Sequence, residues 1–229
     1  MDMKKYRMRT FIGLVIVILI IFGVAYIGTR SPANAQSSEK SAKKQPEPID
    51  AELVGKKILF VIAPSNFRDE ELFDTKKILS EQGAEIKIVS TTIDSICGML
   101  GRAVKSEGLI ANEKADNYDC IVFVGGSGAK VLWNNSDAHR LAKNAVESGK
   151  IVAAICIAPV ILARAGILKN CDATVFSSAK GELIKAGAKY SDSAVVRCGN
   201  IITANGPSAA KEFGETIRDM LIERENKDK

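Results

Sequence analysis

The sequence predicts an α/β domain built on a mainly parallel sheet with helices covering both faces. Three observations lead to that class. The runs KILFVIA (57–63), CIVFV (120–124) and IVAAI (151–155) are continuously apolar, as strands buried on both faces are. Amphipathic stretches with helix start and stop signals alternate with them. About 175 residues follow from Gly55 onward, enough for one domain with a substantial core.

The elements follow in order. The first strand, 57–63, is broken by Pro64-Ser65-Asn66. A helix over 69–82 opens on Asp69, Glu70 and Glu71, acids that favour a helix N-terminus, and ends at Gly83. The next strand spans 85–90. Residues 95–110 scatter Gly98, Gly101 and Gly108 among apolar residues and read as a small hairpin. Strand 120–124 runs into Gly125-Gly126-Ser127-Gly128, and a helix over 137–148 stops at Gly149. Strand 151–155 delivers Cys156 to a helix over 158–165. A strand at 173–176, a helix near 181–186 and a hairpin pairing 194–197 with 201–204 come next. Pro207 then opens a last helix that runs to about 225.

Ahead of this domain, residues 11–28 are almost wholly apolar and uncharged. Eighteen residues rise roughly 27 Å as a helix, close to the hydrocarbon thickness of a bilayer. Lys4, Lys5, Arg7 and Arg9 precede the run, which predicts that everything downstream is exported. Ala33-Asn34-Ala35-Gln36 has the small-x-small pattern of a cleavage site, so residues 1–35 are either a signal peptide or an uncleaved membrane anchor. The expected location is extracytoplasmic in both cases, secreted or periplasmic if cleaved and tethered to the membrane if not. Residues 36–54, rich in Ser, Ala, Lys, Gln and Pro, read as a flexible linker. The net charge of +5 rests largely on the first ten residues, and no basic run follows, so nucleic acid is not an expected partner.

The domain holds five cysteines and the chain one histidine, His139, with no CxxC spacing; neither a metal nor a cofactor is expected. An odd count in an exported protein leaves at least one thiol unpaired. Cys120 reads as core and Cys97 as part of the glycine-rich hairpin. Cys171 and Cys198, each at a strand edge, either pair or stay free, since sequence carries no geometry. Cys156 differs from all of these. Ala154 and Ala158 stand two residues to each side of it, the small neighbours that a nucleophile elbow requires where strand and helix meet. Open α/β sheets bind ligands at the carboxyl ends of their strands, where this turn lies. A thiol at a helix N-terminus is expected to be more acidic than ordinary. Read without that context, Cys156 is a small buried hydrophobe, as many free cysteines are.

Five motifs occur in a fixed order: FRDEEL with a helix ending in EQGAEIKIV, IVFVGG, AAICIAP, LKN with ATVF, and TANGP. Over about residues 56–226 the chain resembles the ThiJ/PfpI superfamily. That resemblance implies a flavodoxin-like three-layer α/β/α sandwich and places the nucleophile on Cys156. It places the acidic partner on Glu71, with Glu70 next if the register slips by one. The backbone N–H groups of Gly126 and Ile157 become the oxyanion hole, and Gly125, Asn66, Gly206 and Pro207 line the pocket. A carboxyl beside a thiolate is expected to hold a proton and share its titration with the sulfur. Peptidase-like members carry histidine after the nucleophile, where this chain has Ile157, which disfavours peptidase activity. The implied activity is of the glyoxalase III or deglycase type, on a small reactive carbonyl or glycated substrate, without a cofactor. The alternative is a redox sensor or chaperone using the same pair. The family is commonly dimeric, which makes a homodimer a further expectation.

Overall fold

The computed structural model describes residues 51–228. The expected signal peptide or anchor and most of the linker lie outside them, as does the apolar run 11–28. No helix among the described residues is long and apolar enough to cross a membrane. Leu53, assigned to the linker from sequence, is fully buried and donates its N–H to the Gln82 carbonyl at 2.8 Å, so it belongs to the folded domain.

Six strands form the main sheet, in the order β2-β1-β5-β6-β10-β9. These are β1 (Lys57–Val61), β2 (Glu85–Val89), β5 (Cys120–Phe123), β6 (Ile151–Ile155), β9 (Val195–Cys198) and β10 (Ile201–Ala204). All neighbours are parallel except β9 and β10, whose antiparallel register pairs Ile201 with Cys198 and Ala204 with Val195. The apolar runs are central because only a strand shielded on both faces gains from being continuously apolar; every residue of β5, β6 and β10 is buried. At about 1.5–3 kcal/mol for each large side chain removed from water, Ile151, Val152 and Ile155 anchor the strand that feeds Cys156.

Helix α1 (Asp69–Glu81) packs along α5 (Ala210–Asp228), while α2 (Ser136–Glu147) packs along α3 (Pro159–Arg164) and α3 along α4 (Lys180–Lys185). The glycine-rich excursion is the hairpin β3 (Ser95–Cys97) with β4 (Ala103–Lys105). One expectation is corrected. The strand at 173–176 is reduced to β7 (Asp172–Ala173), which pairs in parallel with the equally short β8 (Lys189–Tyr190). Beyond Ala173 the backbone turns to other partners: Thr174 N–H donates to Thr203 Oγ1 at 2.9 Å and Phe176 N–H to the Cys156 carbonyl at 2.8 Å. Cys171 and Cys198 form a disulfide, with Cα atoms 5.8 Å apart, that ties the start of this segment to edge strand β9.

Candidate active site

Strand β6 ends at Ile155, and Cys156 takes φ +64°, a left-handed conformation that a residue with a side chain holds only under constraint. The constraint is on both sides of the residue. Cys156 N–H donates to the Ala204 carbonyl at 2.9 Å, and its own carbonyl accepts from Phe176 at 2.8 Å. The residue is buried, with 8% of its surface exposed. The expected elbow is therefore present, with Ala154 and Ala158 fully buried around it.

Glu71 reaches the same point from the first turn of α1. It is fully buried and accepts a hydrogen bond from Gly125 N–H at 3.0 Å through Oε2, while the buried Oε1 has no hydrogen-bond partner. Its carboxyl interacts directly with the Cys156 side chain. Gly125 is where thiol and carboxyl meet: a Cβ there would lie 2.5 Å from Cys156 Cβ and 2.6 Å from Glu71 Oε2. Gly126 has φ +97° and sits against the backbone of residues 66–68. Its N–H and that of Ile157 are both directed at the Cys156 sulfur.

The three acids of the first turn divide their work. Asp69, buried, accepts from Leu100 N–H at 2.8 Å and from Arg102 N–H at 3.0 Å, pinning the β3–β4 hairpin. Glu70 holds the Arg68 guanidinium through two hydrogen bonds of 2.8 and 2.9 Å. Glu71 alone turns toward the thiol. Of the two candidates left by the sequence, the structure brings Glu71 to the thiol and Glu70 to Arg68.

Burial raises the Glu71 carboxyl to about 7, opposed by its bonds from Cys156 and Gly125 and by the Arg68 charge. This is the direction expected of a carboxyl beside a thiol. The Cys156 expectation is reversed. Burial pushes the thiol up to about 12, the Glu71 carboxylate adds to the rise, and the N–H groups of Gly126 and Ile157 offset only part of it. The helix-dipole argument fails because α3 has only six residues and begins at Pro159, three positions beyond the thiol. A proton moved from sulfur to Glu71 would remove the carboxylate charge, so the two groups titrate as a unit.

The remaining predicted pocket residues have partners around the site. Asn66, at φ +52°, accepts from Gly128 N–H at 3.1 Å and so shapes the loop facing Gly126. Gly206 follows β10 and lies against the Phe176 ring, with Pro207 next to it opening the turn into α5. His139 turns its Nε2 to the Trp133 carbonyl, 2.9 Å away. Sequence reasoning missed Arg68, Phe176 and Trp133. Arg68 is within electrostatic reach of both Glu71 and Cys156. Trp133 donates its indole N–H to the Ile157 carbonyl at 3.0 Å.

A sequence model of the DJ-1/PfpI family matches residues 56–220. An uncharacterised protein of Methanocaldococcus jannaschii is 46% identical over 173 residues, covering 74% of this chain and 84% of that one. A deglycase of Pyrococcus horikoshii is 32% identical over 152 residues, 66% of this chain and 91% of that one. Among solved structures, a ThiJ/PfpI domain protein from Brachyspira murdochii superposes with a TM-score of 0.71 at 37% identity, over 73% of this chain and 98% of that one.

Proposed function

The chain belongs to the DJ-1/PfpI family, and on that premise we propose that it is an exported cysteine-dependent enzyme acting on reactive carbonyls. The observation that supports this reading most is the buried Glu71 carboxyl against a thiol that two backbone N–H groups also face. A pKa of about 7 suits Glu71 to accept a proton at neutral pH and give it back. As the Cys156 sulfur bonds to the aldehyde carbon of an α-oxoaldehyde, its proton passes to Glu71. The carbonyl electron pair moves onto oxygen, where the Gly126 and Ile157 N–H groups stabilise it until Glu71 returns the proton. Glu71 then takes the proton from the former aldehyde carbon and delivers it to the adjacent carbonyl carbon, while the hydroxyl proton on the first carbon's oxygen passes to the oxygen of the second. The first carbon is oxidised and the second reduced, so the redox change is internal and leaves a thioester on Cys156. Water hydrolyses that thioester to a 2-hydroxy acid and restores the thiol. A glycated amine enters the same scheme, with the amine leaving from the carbon that sulfur attacks.

Export rests on the basic flank, the apolar run 11–28 and the Ala33-x-Ala35 pattern, and the Cys171–Cys198 disulfide suits an oxidising compartment. A reporter that works only in the cytoplasm, fused after Lys229, should be silent; a signal from it would remove this part of the proposal. The activity is tested with a panel of oxoaldehydes, glycated amines and peptides on the parent chain and on Cys156→Ser. Turnover of the carbonyls that vanishes with Cys156 is expected. Cleavage of the peptides alone would replace the proposal with a peptidase, and an inert parent that accumulates sulfinic Cys156 would replace it with a redox sensor.

A further inference from the structure

We propose that Trp133 is a positioning residue for the reactive thiol, and that residues 126–133 form one brace that aims both N–H donors at Cys156. This rests on reading Cys156 as the reacting group. The 3-10 segment Ser127–Leu132 starts directly after Gly126, which supplies the first donor itself. It ends at Trp133, whose indole N–H holds the carbonyl of Ile157, the residue that supplies the second. The same carbonyl has one other donor, Val160 N–H, at a longer 3.4 Å.

Cys156 stays at φ +64° only because its neighbours hold it there. Beyond the turn's own bond from Ala158 N–H to the Ile155 carbonyl at 3.1 Å, three hydrogen bonds from other elements clamp it: to the Ala204 carbonyl from Cys156 N–H, from Phe176 N–H to the Cys156 carbonyl, and from Trp133 to the Ile157 carbonyl. The first two are backbone bonds that any sequence could make. The third depends on one side chain, and that side chain is itself fixed. The Arg164 guanidinium lies 5.1 Å from the centre of its ring, and is in turn tethered to Asn134 at 2.7 Å and Glu182 at 2.6 Å. His139 faces the Trp133 carbonyl from α2. An indole this restrained has a positional role beyond filling space, because its one polar atom is directed at the elbow.

Trp133 is the only tryptophan in the chain, so biosynthetic replacement of tryptophan by 3-benzothienylalanine changes this position alone. The analogue keeps the bicyclic shape and lacks the N–H. The full-length chain carrying it, with Trp133→Phe as a second variant, is compared with the parent in two assays. One is the iodoacetamide alkylation rate of Cys156 as a function of pH, resolved by peptide mass spectrometry because Cys97 is exposed. The other is carbonyl turnover. The proposal predicts Cys156 alkylation slower by on the order of tenfold near neutral pH, and a similar fall in kcat with KM little changed, since a misaimed donor costs the transition state and not binding. An alkylation profile that is unchanged or faster in both variants overturns the positioning role, whatever the loss in melting temperature. Slower alkylation in the two variants, with a parent that turns over no carbonyl, keeps the positioning role and removes the proposed reaction. Parental kcat beside an unmoved profile does the reverse.

Discussion

Between pH 4.5, where an ordinary glutamate titrates, and about 7, where Glu71 does, the folded chain keeps a proton that the unfolded chain has released. Stability therefore falls as pH rises through that window and levels off above it, by up to about 3 kcal/mol if the whole shift is expressed. Glu71→Gln has no proton to lose. Denaturant titrations should show its stability relative to the parent increasing from pH 4.5 to 7; a difference that stays flat over this range would mean Glu71 is not held protonated by burial. The same titration predicts that kcat/KM on a carbonyl substrate rises through about pH 7 as Glu71 gains its charge. Arg68 shows why neighbours matter at this scale. It occupies Glu70 with both hydrogen bonds, which leaves Glu71 as the carboxyl available to sulfur.

The elbow and the Gly-Gly turn are the elements on which the site depends. At φ +64° a Cβ is unfavourable, so Cys156→Gly should be more stable than Cys156→Ala by about 1 kcal/mol, although glycine is ordinarily the costlier residue. Equilibrium unfolding of the two variants checks this, and an alanine variant that is the more stable would show the turn to be unstrained. Gly125→Ala would place a methyl 2.5 Å from Cys156 Cβ and 2.7 Å from the Ile155 carbonyl, neither of which can yield without moving the turn. It should lose turnover and a few kcal/mol of stability, as overpacked sites do. These elements were legible in the sequence because their physics is local. Apolar runs of five to seven residues between turn signals fit central strands, and small residues around Cys156 fit a close approach of strand and helix. The short parallel pair β7–β8 was not legible, since two residues carry no period and its partner strand lies in charged sequence around Lys189. Trp133 was hidden for a different reason: its partner is a backbone carbonyl in another element, and backbone acceptors have no sequence signature. The acidity of Cys156 was misjudged because sequence shows the helix that follows a thiol but not how deeply the thiol is buried.

Across the whole molecule, the disulfide joins the segment that supports the elbow to the antiparallel edge of the sheet. Cys171 and Cys198 are 27 residues apart, and closing a loop of that size restricts the unfolded chain by about 3–4 kcal/mol. The Cys171→Ala, Cys198→Ala double variant should unfold at correspondingly lower denaturant, and reductant should have little further effect on it. If reductant destabilises parent and double variant equally, the bridge does not contribute. The segment between Ala173 and Phe176 ties this bridge to the Cys156 carbonyl, so the variant should also show a faster-exchanging Phe176 amide. The fold thus gathers at one point a carboxyl from α1, a turn after β5 and a thiol after β6, three elements that are far apart in sequence and adjacent at the carboxyl ends of parallel strands.

Conversion of methylglyoxal to lactate by the full-length chain, measured for the parent, Glu71→Gln and Glu70→Gln, tests the cysteine–glutamate account most directly. The account predicts turnover by the parent, a fall of at least about a hundredfold in Glu71→Gln, and a change within about threefold in Glu70→Gln, whose loss frees only a part-exposed arginine. Parental turnover in Glu71→Gln, with Cys156→Ser inactive, would contradict it.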